Sequence, residues 1–182
     1  MHRYLCLIFF LCFLAPLYTA QAQICNDNMP ASTPDSQLVD NGDGTVTDRK
    51  TGLMWKKCAE GQTGSNCENG SAATFTWSEA LHQPRRINSG GPGFAGYYDW
   101  RLPNIKELRS IVEEKCSRPA INLVRFPNTS SSYLSWVWSG SPFAGDSNEA
   151  WFVDFYSGDS DHMMRYYIYQ VSYQVRLVRG GQ

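Results

Sequence analysis

Apolar and polar positions follow several rhythms along this chain. Leu5 to Tyr18 is almost wholly apolar, with Phe9, Phe10, Leu11, Phe13, Leu14 and Leu17 among its members. Shorter runs come later. Leu38-Val39-Asp40 and Thr45-Val46-Thr47 flank Asn41-Gly42-Asp43-Gly44, whose Asn-Gly and Asp-Gly pairs supply the positive φ of a tight hairpin. Asp48 to Gly52 predicts another turn and Leu53-Met54-Trp55 the next strand. Thr76-Trp77-Ser78-Glu79 is a capping box that opens a helix, which Pro84 is expected to stop or kink early. Asn104-Ile105-Lys106-Glu107 is a second box. Ile105, Leu108, Ile111 and Val112 follow it as an apolar stripe at helical spacing, with Cys116 pinning the helix end. Trp136-Val137-Trp138 and Trp151-Phe152-Val153-Asp154-Phe155 are aromatic, β-favouring runs. Val171, Tyr173, Val175 and Leu177 alternate with Ser172, Gln174 and Arg176, the pattern of one half-buried strand. Antiparallel strands, two helices and more strands make an α+β fold.

The first apolar run is a leader. His2 and Arg3 precede it and Ala20-Gln21-Ala22 follows, so residues 1–22 are expected to form a signal peptide cleaved to leave Gln23 first. The run is shorter than the roughly 20 residues that cross a bilayer, and no later stretch predicts a membrane span. A polar, Pro-bearing arm over residues 23–36 and one domain over 37–182 remain, in a chain expected to be secreted, periplasmic or at the cell surface. Removing Arg3 leaves 15 Lys and Arg against 17 Asp and Glu, a mature charge of −2. That balance gives no global field for nucleic acid or anionic lipid. Cys6 and Cys12 leave with the leader. Cys25, Cys58, Cys67 and Cys116 predict two disulfides in an exported chain. The Gly-rich loop between Cys58 and Cys67 can turn back on itself, which pairs those two and leaves Cys25 with Cys116. Zinc ligation is not expected, since no Cys-x-x-Cys pair occurs.

Candidate chemistry is sparse. From Asp40, the third and fifth loop positions are both Gly, so an EF-hand calcium loop does not fit. Gly158-Asp159-Ser160-Asp161-His162 is the densest polar cluster. Asp159-x-x-His162 matches a fragment of a serine-esterase triad, but its serine is missing from the place after the first strand where such enzymes carry it. No catalytic residue, metal or cofactor is therefore assigned, and an enzyme is not expected. Tyr166-Tyr167-Ile168-Tyr169 puts Tyr on both faces of one strand, so some Tyr is exposed. Tyr156, Asp159, Asp161, His162, Tyr166 and Tyr167 are the candidate ligand-binding set, suited to sugar stacking or protein contact. Glu113 and Glu114 look like a solvated helix end. In Tyr98-Asp99-Trp100-Arg101-Leu102-Pro103, Asp99 and Arg101 are expected to form a buried pair, with Trp100 as a core plug.

Several segments in order carry a resemblance: Asp43-Gly44-Thr45-Val46-Thr47-Asp48, Thr51-Gly52-Leu53-Met54-Trp55, Tyr98 to Asn104 with Glu107-Leu108, and Phe126-Pro127-Asn128-Thr129. Ala150 to Phe155 and Val175-Arg176-Leu177-Val178-Arg179 complete the set. Together they resemble the C-terminal domain family of the Legionella collagen-like protein over nearly all of residues 37–179. The resemblance implies an exported bacterial protein with a fold similar to C-type lectins, and an adhesin-type module that recognises a glycan or protein at the cell surface. It also implies a homo-oligomer, a trimer in the named member, which binds sulfated glycosaminoglycans. This chain has no collagen-like stalk, and its charge does not favour a polyanion. A structural envelope component that self-assembles is the alternative.

Overall fold

In chain order the strands before the helices are β1 (Ile24–Cys25), β2 (Leu38–Asp40), β3 (Thr45–Asp48), β4 (Met54–Lys56), β5 (Gln62–Thr63), β6 (Asn69–Gly70) and β7 (Thr74–Phe75). Helices α1 (Trp77–Asn88) and α2 (Ile105–Arg109) come next. After them run β8 (Cys116–Ser117), β9 (Trp136–Pro142), β10 (Glu149–Asp154), β11 (Ser160–Met164), β12 (Tyr173–Gln174) and β13 (Val178–Arg179). This computed structural model describes residues 22–132, 135–146, 148–164 and 171–181. The fold is α+β. One large sheet has the order β11-β10-β9-β12-β7 and the other β13-β4-β3-β2, beside the two-stranded pairs β1-β8 and β5-β6. Pairing is antiparallel except where β12 meets β9.

Each sheet contributes to a core. Leu38, Val46, Trp55, Leu108, Ile111, Ile121, Phe126, Val137 and Val153 make one cluster. Ala80, Trp100, Trp138, Phe152, Tyr173 and Leu177 make the other. Trp100 is the expected plug, 1% exposed. Its main chain is clasped by Asn88, whose side chain donates to Trp100 O at 2.8 Å and accepts from Trp100 N at 3.0 Å. Both disulfides form as expected, Cys25–Cys116 and Cys58–Cys67.

Three elements depart from their sequence patterns. α1 passes through Pro84 and ends at Asn88. Its end is held by the Asn88 clasp on Trp100 and capped locally by the Ser89 hydroxyl on Arg85 O at 2.6 Å, which together outweigh the cost of a mid-helix proline. α2 stops at Arg109, although Leu108, Ile111 and Val112 are all buried. The Ser110 hydroxyl bonds Glu107 O at 2.7 Å, and Val112 N turns back to Arg109 O at 3.1 Å. The chain then leaves to bridge Ile121, and Cys116 sits in a strand paired with β1 instead of at a helix end. The expected half-buried final strand splits into β12 and β13, one in each sheet. Because it crosses from one sheet to the other, Tyr173 to Val178 are buried on both sides, Arg176 included.

Glu113 also departs from expectation. It is 4% exposed, and its carboxylate accepts from the backbone N–H groups of Ser32 and Thr33, both at 2.9 Å. The arm is thus fastened to the body at Cys25 and again at Glu113.

Candidate functional site

The register of the β10–β11 hairpin decides what its two faces carry. Trp151 lies opposite His162 and Val153 opposite Ser160. In a pleated strand Glu149, Trp151 and Val153 share one face. Val153 is core beside Leu108 of α2. α2 is only five residues long, and the same face continues beyond it, half-exposed, as Trp151, His162 and Glu149.

These side chains form an aromatic shelf. Phe143 stacks flat on the His162 ring, with centroids 3.6 Å apart and planes 4° from parallel. Trp151 meets Phe143 edge-on at 5.5 Å and His162 edge-on at 5.4 Å. The Glu149 carboxylate takes a hydrogen bond from His162 Nδ1. That bond fixes the ring and directs Nε2 away from Glu149, 3.9 Å from Asp161 Oδ1. Arg109 reaches from the last turn of α2 to donate to Ser160 Oγ at 2.8 Å and faces Glu114 at 3.5 Å. The result is a half-exposed aromatic cluster, Phe143 stacked on His162 with Trp151 standing across both, and the Glu149 carboxylate is hydrogen-bonded to the imidazole. Such a surface suits the C–H face of a sugar ring, with hydroxyls at its border, or an aromatic side chain.

The Tyr98-to-Pro103 segment builds a second charged site. Asp99 does not pair with Arg101. Its carboxylate accepts from Arg179 Nε at 2.7 Å and Nη2 at 3.1 Å, and the Arg179 guanidinium lies 3.7 Å over the Tyr97 ring. Arg101 makes a bidentate pair with Glu107, both bonds 2.7 Å, and donates to Gly180 O at 2.8 Å. The expected buried pair is thus two separate pairs. Asp99 is at the surface, its side chain 57% exposed, because its partner comes from the chain's last strand instead of from its own loop. The Arg179 hydrogen bonds hold the Asp99 carboxyl below the usual carboxylate range. The bonds that Arg101 donates to Glu107 raise its pKa. Burial pushes Glu107 up, but the Arg101 bonds and the Asn104 N–H together bring it below its ordinary value. Asp99, Arg101, Gly180 and Gly181 line a crevice of about 220 Å³.

The sequence profile of the Lcl C-terminal domain matches residues 44–179. The chain belongs to that family. No curated protein matches the chain. The span of the Lcl C-terminal domain takes in the shelf, the Asp99–Arg179 and Arg101–Glu107 pairs and the Cys58–Cys67 bridge, and it leaves the arm outside.

Of the predicted ligand residues within this Lcl C-terminal domain, the structure brings Asp161 and His162 together. His162 is on the shelf. Asp161, exposed and paired in register with Phe152, turns its carboxylate back to His162, Oδ1 accepting from His162 N at 2.8 Å and lying 3.9 Å from Nε2. The Tyr173 hydroxyl is pushed up to about 12 by burial and by the Asp161 charge. Asp159 stays in the turn, its N–H on the Ser157 hydroxyl at 3.3 Å, while the His162 ring takes Glu149 as its partner. Tyr156 lies under the Arg118 guanidinium at 5.3 Å. Tyr166 and Tyr167 lie outside the described residues. Among the described residues no group of three or more His, Cys, Asp or Glu is placed to hold a metal. Phe143, Glu149 and Trp151 were missed. Glu149 and Trp151 had a readable signal, two positions apart on the face that strand alternation gives to His162's partner. Phe143 had none.

Proposed function

We propose that this chain is an exported bacterial binding module, cleaved after Ala22, that recognises a glycan or protein at the cell surface without catalysing a reaction. The half-exposed Trp151–Phe143–His162 stack, bordered by Glu149 and Arg109, carries this reading. A half-exposed indole beside a carboxylate and a guanidinium matches a sugar ring, apolar on its faces and hydroxyl-bearing at its rim. Membership of the Lcl C-terminal domain family supports the reading, as does the lectin-like scaffold which that family implies. Two disulfides are compatible with an extracellular setting, and among the described residues no helix is long and apolar enough to cross a membrane.

The test is a glycan array followed by titration calorimetry on any hit, with Trp151→Ala as the comparison. We expect binding that falls about fivefold or more in the variant, since one stacked ring is worth on the order of 1 kcal/mol. An array and an envelope-extract pull-down that both show nothing would overturn the reading.

Exposed Ile24, Met29 and Val124 favour a second reading, a structural component that self-associates. Sedimentation separates the two, because a strict monomer at all concentrations leaves only the binding module.

A further inference from the structure

Gln23 stands where the arm begins, and its side-chain amide is committed. Nε2 donates to Pro119 O at 2.6 Å and to Ile121 O at 2.7 Å, and both acceptors belong to buried residues. The chain is held again immediately after it. Ile24 pairs with Ser117, Cys25 is bridged to Cys116, and Asn26 N donates to Lys115 O at 2.8 Å. Gln23 also lines a cleft of about 440 Å³ between arm and body, along with Ala31, Pro34, Leu123 and Val124.

A glutamine at a free N-terminus has a characteristic reaction. The α-amine attacks Cδ, a bond forms between that nitrogen and Cδ, and the Cδ–Nε2 bond breaks. A proton passes from the amine to Nε2, which leaves as ammonia, and a five-membered lactam remains. The step is a transamidation, so neither oxidant nor reductant is needed.

We propose that Gln23 is a conditional modification site: as the mature N-terminus it is shielded from cyclisation while the arm is docked and open to it when the arm lifts. This rests on cleavage after Ala22. The nitrogen that must leave is the atom that holds both carbonyls. Cyclisation therefore gives up both hydrogen bonds, and the lactam cannot remake them. Two neutral hydrogen bonds of ordinary strength correspond to a slowing of about thirtyfold. The cyclised chain would keep Pro119 O and Ile121 O without their donor, so modification would hold the arm open.

The test begins with a chain released at Gln23 from a fusion by site-specific proteolysis. Intact mass is followed at neutral pH for the folded chain, for the reduced and denatured chain, and for the Cys25→Ser, Cys116→Ser double variant. We expect the folded chain to keep its ammonia while the denatured chain loses it about thirtyfold faster, with the double variant in between. Circular dichroism checks that the double variant stays folded, and the first two samples decide the matter if it does not. Equal rates in folded and denatured chains would overturn the shielding. N-terminal sequencing of the exported protein tests the cleavage separately, and a start other than Gln23 would remove the site from the mature chain.

Discussion

Glu113 and Arg176 are both buried ions, and the fold treats them differently. Glu113 has its carboxylate surrounded by donors, the N–H groups of Ser32, Thr33 and Lys115 and the Thr33 hydroxyl. Burial alone would raise its pKa, but these bonds outweigh burial and hold it below the ordinary Glu value. A depressed folded pKa means that the bonds contribute fully above the unfolded value, about 4.3, and are lost as pH falls through the lower folded value. Glu113→Ala should cost about 2–4 kcal/mol at neutral pH, by leaving buried donors unmet. Urea midpoints at pH 7 and pH 3 check this, since the variant should lose less on acidification than the parent. Arg176 is poorly served by comparison. Its guanidinium donates to Lys57 O at 2.6 Å and Thr129 Oγ1 at 3.1 Å and lies 5.1 Å from the Phe126 ring centre, while Nε has no partner among the described residues. Burial pushes it down to about 10, with the Glu60 charge opposing. Desolvation on that scale makes an apolar chain of similar reach a fair replacement. Arg176→Met should stay within about 1.5 kcal/mol of the parent, whereas Arg176→Ala should cost about 3 kcal/mol through the cavity it leaves. Equal losses in the two variants would mean that the charge itself holds the sheets together.

The β2–β3 hairpin and α2 show which elements a sequence announces. The hairpin is local. Gly42 and Gly44 have φ of +79° and +87°, and Asn-Gly with Asp-Gly predicts that conformation directly. What the sequence does not show is that Gly44 also faces the Phe94 ring, which a Cβ would approach to 3.1 Å, whereas nothing lies within 4 Å of a Cβ on Gly42. Phe94 cannot shift freely, because it packs edge-on against Trp100 at 5.6 Å and lies under the Lys56 ammonium at 4.4 Å. Gly42→Ala should therefore cost about 1 kcal/mol, for the positive φ alone, and Gly44→Ala roughly twice that. Denaturant midpoints decide it, and equal costs would show that Phe94 yields. The apolar stripe of α2 predicts its core face but not its length. That is set by Ser110 turning back on Glu107 and by the bridge from Val112 to Ile121, a contact between distant positions. The shelf depends on that shortness, so it was only as legible as the helix end. His162 could be picked out as a polar anomaly, while Phe143 and Trp151 read as ordinary strand aromatics. The final alternating run failed for a related reason. Strand alternation assumes one wet face, and here the chain passes between two sheets that bury both.

At the scale of the molecule, the two disulfides close loops of very different length. Their sequence separations are 91 for Cys25–Cys116 and 9 for Cys58–Cys67. If each acted only by restricting the unfolded chain, the first would contribute roughly 4.5 kcal/mol and the second roughly 2.5. The architecture argues against the larger figure. Cys25 belongs to an arm outside the span that matches the Lcl C-terminal domain, and β1 pairs only with the two-residue β8. Both large cores are built from residues after the arm. Without the bridge the arm can lift locally while the body stays folded, and the native state recovers part of the lost entropy as arm motion. The Cys25→Ser, Cys116→Ser variant should therefore lose clearly less than 4.5 kcal/mol in urea. Hydrogen exchange should rise over residues 23–36 while the amides of β9 and β10 keep their protection. The Cys58–Cys67 loop behaves differently, since Cys67 is fully buried and its carbonyl accepts from Asn128 at 2.7 Å. Removing that bridge should spend its whole effect on global stability, with no region exchanging selectively. A uniform rise in exchange in the arm variant, with the full entropic loss, would instead make the arm part of the cooperative core.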